Sequence, residues 1–256
     1  MKYIGGCHTD RGGFRPDNED AILLRTHRQE KGSFVLGAVC DGIGGLESGE
    51  LASRFVADSV GAWFDTITSW LDLSRNEPAL LFSHLQDGAE TWNTELIDYM
   101  LHEGIRSGTT MSVIMIVCAH AYILHVGDSR IYRYNPEKGL CQLTTDASVT
   151  KMSNGRMRSF LDNFMGKSEE LWFQLWDTPV EAGDLFLYCS DGFYHTLHEE
   201  DAAYYHSSLA DGKDPDVLCA EAVQTAISRG EQDNISVGMI YAQPKRSGAA
   251  FSFFRK

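Results

Sequence analysis

Four aspartates of this 256-residue chain stand in one sequence context: Asp41, Asp128, Asp191 and Asp233 each lie at the boundary of an apolar run. Glycine adjoins the first three. Asp41 closes Phe34-Val35-Leu36-Gly37-Ala38-Val39-Cys40 and opens Gly42-Ile43-Gly44-Gly45. The run is short and rich in β-formers, so it reads as a buried strand. The strand delivers Asp41 at its end, and the glycines clear side chains from around the carboxylate. Taken singly, each aspartate is an ordinary turn residue. Strand ends at one edge of a sheet converge, however, so four of them point to a shared cleft. Carboxylates crowded in low dielectric repel one another and stay ionised together only with cations among them. Oxygen donors suit hard Mg²⁺ or Mn²⁺. The product of that logic is a two-metal site, with ions about 3.5–4 Å apart, that clamps a phosphoryl group and acidifies a bridging water.

A second polar stretch, Thr9 to Asp20, offers complementary groups. As a plain loop it is a solvated turn. As part of a site it supplies Glu19 and Asp20 for a metal and Arg15 for an oxyanion, because the planar guanidinium fork matches phosphate geometry. No Cys or His cluster has zinc spacing, and neither a GxSxG nor a Walker motif is present.

The elements that position these groups follow from periodicity. Residues 2–8, 21–25, 34–40, 111–119, 122–126, 131–134, 185–190 and 235–240 read as strands, with 27–32 as a turn. Ser48–Thr66 has helical spacing at Leu51, Phe55, Val60, Phe64 and Ile67, with Ser48 as N-cap and Glu50 in the first turn. Pro78–His102 carries an apolar stripe at Leu81, Leu85, Ala89, Trp92, Leu96 and Met100. Pro215–Ser228 repeats that pattern at Leu218, Ala222, Val223 and Ile227, with Gly230 as its cap. Short turns through 111–134 suggest a three-stranded antiparallel meander. Leu143–Met165 has little periodicity and reads as an irregular, mobile segment. Strands and helices interleave throughout, which favours one domain over 1–243. The basic and aromatic tail 244–256, with Phe251, Phe253 and Phe254, is expected to be disordered.

Composition excludes several classes. The net charge of −14 argues against general nucleic-acid binding. The six cysteines form no CxxC pair, and most lie in apolar runs, so they read as buried thiols in a reducing compartment. No secretory leader and no apolar run of membrane-spanning length is visible, so a cytoplasmic protein is expected.

The same residues resemble the metal-dependent PPM, or type 2C, serine/threonine protein phosphatases in their bacterial form. The likeness runs through Thr9-Asp10, Arg15, Asn18-Glu19-Asp20, Asp41-Gly42-Ile43-Gly44-Gly45, Gly49-Glu50-Leu51-Ala52-Ser53, Ser107-Gly108-Thr109-Thr110, Gly127-Asp128-Ser129-Arg130, Ser190-Asp191-Gly192 and Asp233-Asn234. Each piece is weak; their order and spacing together are specific. The resemblance implies an α+β fold, a four-layer αββα sandwich of two antiparallel sheets flanked by helix pairs. It implies two Mn²⁺ or Mg²⁺ ions. Asp41, Asp191 and Asp233 would hold one, and Asp41, the Gly42 carbonyl and Glu19 the other. Asp128 would help hold a weaker third ion, and Arg15 would bind phosphate. A metal-bridging hydroxide would attack phosphorus in a phosphoserine or phosphothreonine substrate. The partner would be a phosphoprotein, with a serine/threonine kinase opposing the enzyme, and the enzyme a monomer.

Four positions depart from the pattern. Ile43 and Leu46 stand where members carry histidines, His195 where many have an aspartate, and Ala147 where a histidine follows Asp146. The Thr145–Gly166 flap also looks short. These leave the first two metal sites intact and weaken the third. The alternative reading is a catalytically weak, phosphatase-like binding or regulatory module.

Overall fold

The structure is a computed structural model that describes residues 1–30, 32–43, 48–70, 78–153, 156–168 and 170–244. In chain order the strands and helices are β1 (Lys2–Asp10), β2 (Asp20–Gln29), β3 (Gly32–Asp41), α1 (Gly49–Thr68), α2 (Pro78–Glu103), β4 (Met111–Val117), β5 (His120–Val126), β6 (Arg130–Asn135), β7 (Gly139–Gln142), β8 (Ser148–Ser153), β9 (Arg156–Leu161), β10 (Gln174–Pro179), β11 (Leu185–Cys189), α3 (Asp191–Tyr194), α4 (Glu199–Ala210), α5 (Pro215–Ser228) and β12 (Ile235–Gln243).

Two five-stranded antiparallel sheets carry the fold, in the orders β1-β12-β11-β6-β7 and β10-β5-β4-β3-β2. Their facing sides meet through Val35, Val39, Ile114, Ile116 and Ile123 from one sheet and Ile131, Phe186, Tyr188 and Ile240 from the other. The outer face of the β3 sheet packs on α1 and α2 through Leu36, Val60, Phe64, Leu85 and Leu96. The outer face of the β12 sheet packs on α4 and α5 through Tyr205, Leu209, Leu218 and Val223. This is the expected αββα sandwich. Its apolar runs are near-continuous because the central strands are buried on both faces.

Local chemistry accounts for the helices. All six stripe residues of α2 are buried, and Pro78 begins the helix, where its missing N–H costs nothing. In α5, Asp214 Oδ1 accepts from the Asp216 and Val217 amides, Pro215 fills the first turn and Gly230 follows with φ 93°.

Several expectations need correction. Ser48 precedes α1 but does not cap it through its side chain; its backbone is left-handed, and its carbonyl accepts from Leu51 N. Leu51 is exposed, so the apolar stripe of α1 begins later. The turn expected over 27–32 is instead strand through Gln29, paired with Gly32. Residues 111–134 are not one meander: β4 and β5 pair, but β6 joins the other sheet. Gly127, at φ 114°, redirects the chain between the sheets, which a side chain would oppose. The supposedly irregular segment holds the β8–β9 hairpin. Asn154-Gly155 between those strands, outside the described residues, is the pair that a two-residue hairpin prefers. Periodicity was absent because the hairpin projects: Met152 is 75% and Phe160 43% exposed. β7, β10 and α4 lay in stretches where no clear pattern was visible. Of the cysteines, Cys40, Cys189 and Cys219 are buried, Cys7 and Cys118 are half-buried, and Cys141 is exposed; none of the six is in a disulfide. Gly44, Gly45, Leu46 and the tail beyond Pro244 lie outside the described residues.

Candidate active site

The acid-bearing strand ends meet as expected. One cleft of about 220 Å³ at the end of the sandwich is lined by Arg15, Glu19, Asp41, Gly42, Asp128, Asp191 and Asp233, together with Ile43, Thr110, Leu161 and Asn234. Asp41 is the last residue of β3, Asp128 follows β5, Asp191 starts α3 after β11, and Asp233 precedes β12. Every site residue read from the sequence except Asp20 therefore reaches one place. Asp20, offered as an additional metal ligand, does not line this cleft. It is buried behind it and accepts a 2.7 Å hydrogen bond from Ser190 Oγ.

The backbone around Asp41 is tightly held. Asp41 N donates to Thr110 Oγ1 at 2.9 Å, and its carbonyl accepts from Thr110 N and Thr109 Oγ1, both at 2.9 Å. Gly42 N donates to the Glu19 carbonyl. A Cβ on Gly42 would stand 2.5 Å from Gly49 O and 2.7 Å from Glu19 O, so only glycine fits there. Asn234 fastens the neighbouring loop. Its Oδ1 accepts from Glu19 N, and its Nδ2 donates to the Arg11 and Asp17 carbonyls, each at 2.9 Å. Thr110 and Asn234 carry no reactive group, and sequence reasoning assigned them no role. The signal available was their membership of the motif pieces Ser107-Gly108-Thr109-Thr110 and Asp233-Asn234.

Electrostatics mark the cleft. Burial pushes Asp41 well above the usual carboxylate range, and Asp20, Asp191, Asp128 and Asp233 push it further. Burial and then Asp191 raise Asp128 to about 6. Asp191 rises through burial and Asp233, with His195 opposing, and Glu19 rises through burial, with Arg15 opposing. Asp20 rises to about 7, chiefly through burial. Against this negative potential stands one lining cation. Arg15 Nη2 donates to Asp233 Oδ2 at 2.6 Å, not to Asp17 or Asp20.

The donor set fits hard divalent cations: carboxylates and a backbone carbonyl, without thiol or imidazole. Among the described residues, no three acidic, histidine or cysteine side chains stand in ready-made metal-holding geometry. The Arg15–Asp233 pair engages one of the cleft carboxylates with a protein cation. Of the departures, Ile43 lines the cleft as an apolar wall. His195 does not line it: its side chain is 53% exposed and stands 3.6 Å from Glu231. The flap is anchored beside the cleft, where Ala147 N donates to Gly127 O and Asp146 takes a bidentate pair from Arg130.

Residues 5–222 match the family model described as Protein phosphatase 2C. The chain belongs to the protein phosphatase 2C family. It is an enzyme, a serine/threonine protein phosphatase of the metal-dependent class. A curated relative, protein phosphatase PhpP of Streptococcus pneumoniae, is 26% identical over 250 residues, covering 91% of this chain and 94% of its own. Among solved structures, PppA of Pseudomonas aeruginosa, described as a key regulatory component of T6SS, superposes with TM-score 0.72 at 25% identity, covering 94% and 98% of the two chains. The catalytic domain of the phosphatase PstP, described as a complex with two manganese ions, superposes with TM-score 0.69 at 23% identity, covering 94% and 99%. Among the described residues of this phosphatase, no helix is long and apolar enough to cross a membrane.

Proposed function

We propose that this phosphatase hydrolyses phosphoserine and phosphothreonine in phosphoproteins, with two Mn²⁺ or Mg²⁺ ions in the cleft. The convergence of Glu19, Asp41, Asp128, Asp191 and Asp233 on one small cleft carries the reading. Asp41, Asp191 and Asp233 would hold one ion, and Asp41, the Gly42 carbonyl and Glu19 the other. When bound, the ions supply a water acidified toward neutral pH and positive charge for the phosphoryl oxygens. Asp128 contributes to a third, weaker position, since His195 points elsewhere.

The chain's own residues do the rest. Thr110 and Thr109 fix the Asp41 peptide. Arg15 would receive the phosphate, either through the N–H groups that Asp233 does not engage or by releasing Asp233. Released from Arg15, Asp233 would be free to hold a cation. Ile43 and Leu161 form the apolar part of the wall. The cleft lining contains no histidine among the described residues, so proton delivery to the leaving alcohol falls to water. The kinase that would oppose this enzyme, a monomeric state and a cytoplasmic location belong to the same proposal.

The Arg15–Asp233 pair is the observation that favours the rival reading of a weak, regulatory module, because it engages two site residues with each other. Mn²⁺-dependent release of phosphate from phosphoserine and phosphothreonine peptides by the purified protein decides between them. The proposal expects turnover that EDTA abolishes; peptide binding without turnover would favour the module.

A further inference from the structure

The space between the two sheets is filled mainly by apolar side chains, and at its cleft end β4 and β5 place Ser112 opposite His125. His125 is fully buried, as are Ser112 and Ser129, and Thr110 is nearly so. These four residues form a continuous chain of hydrogen bonds. His125 Nδ1 and Ser112 Oγ are 2.7 Å apart, and Ser112 Oγ donates to the Ser129 carbonyl at 3.2 Å. The Ser129 hydroxyl bonds to Thr110 Oγ1, which in turn accepts from Asp41 N. Ser112 has one proton. Given to the Ser129 carbonyl, it leaves Ser112 Oγ to accept from His125 Nδ1–H, and Nε2 then carries no proton. Nε2 is buried without a hydrogen-bond partner of good geometry among the described residues, although the Thr145 and Gly127 backbone oppose the effect of burial on the ring.

That orphan nitrogen is informative. The neighbours of His125 on this face are isoleucines, such as Ile123 and Ile114. An aliphatic residue would fill the position without burying an unpaired polar atom, which costs free energy. Burial also drives the imidazole down to about 4, so it remains neutral and cannot repay that cost by an ionic bond. Buried polar groups that are retained at a cost fix one arrangement where a greasy core would allow several. Here the chain ends at both sides of the cleft: Ser129 directly follows Asp128, and Thr110 grips the Asp41 peptide.

We infer that His125 is a positioning residue for the candidate metal site. Through Ser112, Ser129 and Thr110 it holds the Asp128 turn and the Asp41 strand end at a fixed separation. The inference rests on the proposed role of Asp41 and Asp128 as metal ligands, with the His125 strut acting one layer behind them. Groups behind a metal's ligands orient those ligands, and their loss weakens metal binding about 10–100-fold.

The test uses the full chain with His125→Leu, Ser112→Ala and the double variant. Three quantities are read: melting temperature, Mn²⁺ affinity by calorimetry, and amide hydrogen exchange at Asp41 in EDTA. His125→Leu is expected to leave the melting temperature unchanged or higher, to weaken Mn²⁺ binding about 10–100-fold, and to speed exchange at Asp41. Ser112→Ala, a minimal deletion that spares the core, is expected to do the same. The double variant is expected to be no worse than either single one, because both cut one chain. Wild-type exchange at Asp41 and wild-type Mn²⁺ affinity in both single variants would overturn the strut, whatever the melting temperature does. Asp41→Asn, run alongside, is expected to lose Mn²⁺ binding. Wild-type affinity in that variant would overturn the metal assignment instead, with the exchange rates still judging the strut.

Discussion

Strand β11 has an aspartate beyond each end, and the two live in opposite surroundings. Asp184, just before the strand, is fully buried. Arg133 Nη2 stands 2.6 Å from its Oδ2, Asn135 Nδ2 donates to Oδ1 at 2.9 Å, and Glu181 N donates to Oδ2 at 2.7 Å. Asp191, just after the strand, faces Asp41, Asp128 and Asp233 across the cleft and is held above the usual carboxylate range. At one end the protein supplies the counter-charge itself; at the other it gathers more carboxylates around a single arginine. Paired burial is architecture. Unpaired crowding is a demand for cations from outside, and that demand is the physical basis of the assigned chemistry.

The comparison can be broken by exchanging the two behaviours. Asp41→Asn or Asp233→Asn is expected to reduce phosphopeptide turnover to background without unfolding the chain, since each change relieves repulsion in the metal-free protein. Activity assays and melting curves check both halves; a folded variant with wild-type turnover would remove these residues from the site. Asp184→Asn is expected to do the reverse. It leaves the half-buried Arg133 with only the more distant Glu181, 3.8 Å away, as an anion, at a cost of up to about 3–5 kcal/mol. Denaturant titration should show that loss, while kcat per folded molecule stays near wild type.

A smaller effect sharpens the role of the lone cation. Arg15→Ala is expected to raise KM roughly tenfold, the size of one charge-assisted hydrogen bond. Lysine should rescue only in part because it lacks the planar fork. Mn²⁺ affinity in Arg15→Ala should stay level or rise, since Asp233 is released. An unchanged KM would make the Arg15–Asp233 pair purely structural.

The smallest effect concerns pH. Asp20 and Asp128 bind protons more tightly folded than unfolded, at about 7 and about 6, and Asp41 and Asp191 shift in the same direction. The folded state therefore holds more protons than the unfolded one between the ordinary carboxylate range and about 7. Stability in EDTA should fall as pH rises through that window. His125, lowered to about 4, acts in the opposite sense up to its unfolded value near 6.5. Five raised carboxylates, Glu19 included, against one imidazole leave the fall dominant. Melting curves from pH 5 to 8 check this, and saturating Mn²⁺ should flatten the slope.

The cleft was legible in the sequence because its signals are local: an apolar run, an acid, a glycine, repeated along the chain. The sandwich was legible for the same reason, since strands buried on both faces have no polar interruptions. What stayed hidden depends on partners distant in sequence. The passage of β6 into the second sheet is a decision made at Gly127 by packing on β11, 50-odd residues onward. In the β8–β9 hairpin the apolar Met152 and Phe160 are exposed, so they imprint no core period. Arg15 was assigned to phosphate from its shape alone, and its pairing with Asp233, 218 residues away, left no mark in the local sequence.

Among the described residues, the cleft carboxylates other than Asp233 form no ion pair with the protein, and cations are expected to complete them. Calorimetric titration of the full chain with Mn²⁺ tests this most directly, counting ions and measuring affinity in one experiment. Two ions bound per chain in the wild type, with loss of at least one in Asp191→Asn and no loss in Asp184→Asn, is the expected result. Absence of Mn²⁺ binding at millimolar concentration, or equal binding in Asp191→Asn and wild type, would contradict it.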